Sequence, residues 1–91
     1  MTGLNYTITT PDGPLPLGTP VFVGALGSVG ACAVAPDPVN AGRYSLLFPS
    51  PGPTTITLIV AGYRPLVWQD TIPPSGPVEA SVNNPAVLSP L

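Results

Sequence analysis

The chain has 91 residues, of which 15 are proline and 10 glycine; 44% are hydrophobic and only 7% are charged. That length allows one small domain with a thin core, and high hydrophobicity with a net charge of -2 excludes the polar, strongly charged disordered class. Two arginines and no lysine or histidine leave no cationic footprint for nucleic acid or for an anionic membrane surface.

Helix is nearly excluded, because few windows lack proline and the longest of them, residues 21–35, is broken by Gly24, Gly27 and Gly30. An interior proline costs a helix about 3 kcal/mol and a glycine about 1. The segments between these breakers have strand length and strand composition. Residues 5–10 (NYTITT) alternate, with Tyr6 and Ile8 on one face, and Pro11-Asp12-Gly13-Pro14 then signals a turn. Residues 20–25 (PVFVGA) read as a second strand with Pro20 at its start, where a missing N–H is tolerated. A weaker strand of small residues covers 29–35, followed by a loop over 37–42. Residues 43–48 (RYSLLF) form a strand with Tyr44, Leu46 and Phe48 on one side, and Pro49 to Pro53 turn the chain. Residues 54–60 (TTITLIV) have the highest β-propensity, and Ile56, Leu58 and Val60 should face the core. Residues 65–72 carry the only tryptophan, Trp68, and residues 78–82 close a set of about seven strands.

Turn signals at this spacing predict an all-β fold, an antiparallel β-sandwich of about seven strands occupying residues 1–82. Residues 83–91 (NNPAVLSPL) have two prolines and no pattern. They are expected to be an extended tail, mobile unless a partner orders it. The first ten residues lack the basic and apolar regions of a signal peptide, and no run approaches the roughly 20 apolar residues of a membrane span. The initial Met1 fits a complete small gene product and equally an excised domain given a start codon.

The order of motifs resembles the carboxypeptidase regulatory-like domain, a transthyretin-like seven-stranded sandwich. The resemblance rests on Asp12-Gly13-Pro14-Leu15-Pro16-Leu17-Gly18-Thr19-Pro20-Val21, then Gly42-Arg43-Tyr44, then Pro51-Gly52, then Gly62-Tyr63. It spans roughly residues 5–72. The chain departs from that pattern where Pro53-Thr54-Thr55 follows the Pro-Gly turn and where Ala35-Pro36-Asp37-Pro38 leads into the Gly-x-Tyr strand. The resemblance implies a non-catalytic accessory domain and brings no catalytic residue to this sequence.

Catalytic chemistry has little to draw on. Asp12, Asp37, Asp70 and Glu79 are scattered, and Asp12 and Asp37 suit turns in which the side chain bonds its own backbone. A serine or Cys32 nucleophile has no histidine or lysine to activate it. Cys32, in a run of small residues, reads as a small buried hydrophobe. One cysteine and no histidine cannot build a zinc site, and Asp37 with Asn40, which with backbone carbonyls would offer calcium a few oxygens, reads better as a proline-rich turn. No enzyme and no cofactor is therefore expected.

A neutral, apolar surface suits a chain that stays packed against something else. The expected function is a non-enzymatic assembly module, a small virion accessory protein such as a capsid decoration or tail accessory docked on larger subunits. Its expected partner is a protein, a capsid or other lattice subunit, with homo-oligomerisation as a further expectation. The alternative is an adhesive or carbohydrate-contacting domain of a surface or secreted protein. The expected contact residues are Tyr63 and Arg64, a pair of types favoured at hot spots, then Trp68, and Pro85, Val87, Leu88 and Leu91 of the tail. For Trp68 two placements stand: a core anchor, if Leu66 and Trp68 face inward, or an exposed contact, if Val67 does.

Overall fold

The computed structural model describes residues 2–91; Met1, the first residue of the expected domain, lies outside them. The described residues form strands β1 (Thr2–Thr10), β2 (Gly13–Pro14), β3 (Phe22–Leu26), β4 (Ala33–Pro36), β5 (Arg43–Phe48), β6 (Gly52–Ile59), β7 (Leu66–Ile72), β8 (Val78–Glu79) and β9 (Ala86–Val87), and no helix. The chain is all-β, and its strands make two sheets.

In the larger sheet β1 is central. β5 pairs with it antiparallel from Thr2↔Phe48 to Thr7↔Arg43, and β4 lies beyond β5. β2 folds back on the end of β1, whereas β8 and β9 run parallel to it. The parity of β1 explains this arrangement. Even residues point their backbone groups toward β5 and β2, as when the Ile8 N–H donates to the Gly42 carbonyl and the Leu15 N–H to the Ile8 carbonyl. Odd residues point the other way, where the Asn5 carbonyl accepts from Ala80 and the Thr9 carbonyl from Leu88. Gly42 has φ +81°, and a Cβ there would lie 2.7 Å from the Ile8 carbonyl oxygen, so this crossing of β1, β2 and β5 requires glycine. The smaller sheet is the antiparallel set β3–β6–β7.

The alternation read from the sequence places the core. Tyr6 and Ile8 of β1, Tyr44, Leu46 and Phe48 of β5, and Ile56 and Leu58 of β6 are all buried. Val60, just past β6, is buried as well. The inner faces of the two sheets meet in two adjoining clusters, one around Tyr6, Phe48 and Ile56, the other around Ile8, Leu15, Leu58 and Leu88. Each such side chain contributes about 1.5–3 kcal/mol on full burial.

Two expectations are corrected. The described residues contain nine strands and not about seven, because two short ones, β2 and β9, extend the ladders of β1. The tail is no separate element: β9 lies within residues 83–91, Ala86 and Leu88 are buried, and Tyr63 bridges Pro90. Its prolines leave free the few N–H groups that the ladder uses, among them that of Leu88.

Candidate interaction surface

The two sheets expose unlike outer faces. On the larger sheet, Asn5 and Thr7 of β1 and Arg43 and Ser45 of β5 alternate outward between buried neighbours. Ser45 Oγ donates to Asn5 Oδ1 at 2.6 Å. Arg43 grips Glu79 through two bonds, Nη1 to Oε1 at 2.7 Å and Nη2 to Oε2 at 2.8 Å, and Nη1 also donates to Thr7 Oγ1. Asn84 then fills the gap between β8 and β9. Its Oδ1 accepts the Thr7 N–H at 2.9 Å, where a ladder carbonyl would otherwise sit, and its Nδ2 donates to the Ala80 carbonyl and to Glu79 Oε1. The Arg43 bonds, aided by Asn84, hold the Glu79 carboxyl down at about 2.

The smaller sheet carries no such network. Its outer face shows Phe22, Gly24 and Leu26 from β3, Thr55, Thr57 and Ile59 from β6, and Val67, Gln69 and Thr71 from β7. None of these is charged. Phe22 is 64% exposed, Leu26 70%, Ile59 47% and Val67 57%. The register sets Phe22 opposite Ile59 and Thr57 opposite Val67, so three of the four form one apolar cluster, with Leu26 at the other end of β3. An exposed cluster of this kind marks an interaction site more often than a scatter of single residues does. Beside Leu26, an open groove of about 550 Å³ is lined by Thr55, Gln69, Asp70 and Val82 among others.

The expected contact residues do not form one patch. Trp68 faces inward, half-buried, with its ring edge-on to Tyr6 at 5.5 Å between centroids. Its Nε1 donates to the Tyr6 hydroxyl, which donates to Asp70 Oδ2 at 2.8 Å. Burial of Tyr6 raises its phenol far above the ordinary range. Of the two placements, Trp68 therefore takes the core one, and Val67 and Gln69 face out. Leu88, at 1% exposure, is a core residue and no contact, because the tail's pairing with β1 turns it into the second cluster. Tyr63, Arg64 and Leu91 do meet at one end of the molecule: the Arg64 N–H donates to the Ser89 carbonyl and the Leu91 N–H to the Gly62 carbonyl. Val87 is exposed on the other side of β9 from Leu88, and Pro85 is exposed just before that strand.

Phe22, Leu26, Ile59 and Val67 were not among the expected contacts. Ile59 and Val67 follow from the inward assignment of Leu58 and Trp68, since neighbours in a strand face oppositely. Phe22 could not be placed in this way, because both faces of β3 are apolar.

Asp37 serves its own turn, its Oδ1 accepting from the Val39 and Asn40 N–H groups, which lowers its carboxyl. At the Asp12 turn it is Thr10 that bonds the backbone: its Oγ1 accepts the Asp12 N–H and donates to the Gly13 carbonyl. Cys32 is half-buried against the first cluster, and burial pushes its thiol up to about 11. Among the described residues no three of the His, Cys, Asp and Glu side chains gather where they could hold a metal ion, and no helix is long and apolar enough to cross a membrane. Comparison with protein-family models, curated proteins and solved structures gives no match.

Proposed function

We propose that this chain is a non-enzymatic assembly module, a small virion accessory protein of the capsid-decoration or tail-accessory kind, which docks on larger subunits through the outer face of its smaller sheet. The observation that carries this reading is the uncharged face formed by Phe22, Leu26, Ile59 and Val67, on a chain whose other face is closed by polar bonds. Apolar side chains held outward on a rigid sheet favour a protein surface of like character, since the contact removes them from water without stranding a charge. Tyr63, Arg64 and Leu91 lie at one end as a second, smaller contact.

The non-enzymatic reading is supported by the engagement of the carboxylates. Asp37 holds its turn, Asp70 accepts from Tyr6, and Glu79 pairs with Arg43. A thiol raised to about 11 carries little thiolate at neutral pH. The finer fold assignment, an Ig-like or transthyretin-like sandwich of the carboxypeptidase regulatory-like kind, belongs to the same proposal. It is supported by two sheets that share a core, by Gly42 just before β5 and by Gly62-Tyr63 after β6.

The test follows the chain through density-gradient purification of particles from cells carrying its natural gene, with detection by mass spectrometry. Co-migration with particles in a fixed ratio to the lattice subunit is expected, with loss of incorporation for Phe22→Ser combined with Leu26→Ser. Recovery only in the soluble fraction contradicts the reading. A surface-adhesion or sugar-contacting domain, the second reading, would have to use the groove beside Leu26, because Trp68 offers no outward ring for stacking.

A further inference from the structure

The smaller sheet has an unguarded edge at β3. Among the described residues its only ladder partner is β6, and the next strand in the chain, β4, pairs with β5 in the other sheet. One row of β3 backbone N–H and C=O groups is thus left without a strand. Proteins normally protect such an edge with charge, proline, a bulge or shortness. The other edges have these devices. β4 ends at Pro36 and runs into Asp37-Pro38, β7 contains Asp70 and is flanked by Pro65 and Pro73-Pro74, and β2, β8 and β9 have two residues each. β3 itself has neither charge nor proline within it, and its one nearby proline, Pro20, lies two residues before the strand.

We infer that β3 is a pairing strand for a second copy of this chain, joined antiparallel about a two-fold axis at Gly24. The strand is self-complementary about that residue. With Gly24 opposite Gly24, outward Phe22 stands opposite outward Leu26, and inward Val23 opposite inward Ala25. A slip of one residue would set outward side chains against inward ones and is excluded by the burial of the inner face. A slip of two keeps the faces but shortens the ladder. The uncharged strand gives a charged partner strand nothing to pair with, whereas an identical strand matches it in charge, in face and in length. The product is a six-stranded sheet in which the apolar outer faces of both copies are continuous, and the closed two-fold pair leaves no β3 edge free for a third copy.

This inference goes beyond docking on a larger subunit, and it is decided on the purified chain alone, so its failure and that of the proposed function are separate results. Gly24 is exposed, no atom lies within 4 Å of a Cβ built on it, and its φ is not positive. Gly24→Lys and Gly24→Glu should therefore fold, which equal melting temperatures would verify. Sedimentation velocity of the natural chain should show its mass rising from one copy to two across the micromolar to millimolar range. Each charged variant alone should raise the dimer Kd roughly a hundredfold, because like charges then face each other across the axis. An equimolar mixture of the two variants should restore the dimer, and Gly24→Ala should keep it. A natural chain that stays at one-copy mass overturns the inference, as does a charged variant that dimerises normally or a mixture that fails to recover.

Discussion

The two sheets of this molecule treat their surfaces in opposite ways. The larger one is closed: residues after β7 return along β1, Asn84 accepts the Thr7 N–H left between β8 and β9, and Arg43 and Glu79 clasp across the outer face. The smaller one is open, with Phe22, Leu26, Ile59 and Val67 in solvent and β3 unpaired on one side. A chain with only six charged side chains could have spread them evenly. Instead the smaller sheet's outer face has none, while Arg43 and Glu79 sit on the larger. Exposed apolar side chains occur elsewhere too, at Leu17, Val39, Val78, Val82, Val87 and Leu91, so the difference teaches that the smaller sheet stands apart in having a whole outer face without charge.

The largest effect should come from opening the closed side. Leu88→Ala removes a fully buried side chain of the second cluster and should lower the unfolding free energy by about 2–5 kcal/mol in urea titration, and ending the chain after Val82 should prevent stable folding. A loss under about 1 kcal/mol for Leu88→Ala would mean that the tail is not part of the core. Next, Tyr6→Phe takes out the hydroxyl between Trp68 and Asp70, and about 1–2 kcal/mol should be lost with the overall fold retained. Smaller still, Arg43→Ala should cost about 1 kcal/mol or less, since the ion pair is partly exposed and screened by solvent.

Acid titration examines the same clasp. Glu79 is held at about 2 in the folded chain against 4.5 ordinarily. The unfolded state therefore takes up its proton first, so the contribution of Glu79 is present above 4.5 and lost as pH falls toward 2. In the Arg43→Ala variant this part of the pH dependence should flatten; an unchanged acid profile would separate Glu79 from Arg43. The smallest change in monomer stability should follow Phe22→Ser with Leu26→Ser, within about 0.5 kcal/mol, although the same pair should abolish self-association. Equal losses at Leu88 and at this exposed pair would erase the contrast between the sheets.

Much of the closed core was legible as alternation. NYTITT, RYSLLF and TTITLIV each name their buried face, because polar or small residues separate the apolar ones. What could not be read depends on partners distant in the chain. β2 and β9 have two residues each and contain or adjoin proline, so neither has a strand signature of its own. β2 exists because β1 runs past the end of β5 and leaves ladder positions at Thr9 and Thr10, and β9 because the opposite edge of β1 runs on past β8 and offers Ile8 and Thr9. The same effect turned the supposedly free Leu88 into a core residue. Trp68 was legible as an alternative between two faces, and its contact with Tyr6 decided it. The open face was hidden for the opposite reason: Phe22-Val23-Gly24-Ala25-Leu26 is apolar on both sides, and only pairing with β6 shows which side meets water.

Amide hydrogen exchange of the natural chain, measured at low and at high protein concentration, sets the two sheets against each other most directly. Protection over Phe22 to Leu26 should increase with concentration, while that of the Thr7 and Leu88 amides on the closed edge stays constant and high. Exchange along β3 that is independent of concentration, or a parallel change on both edges, would contradict an open sheet built for association.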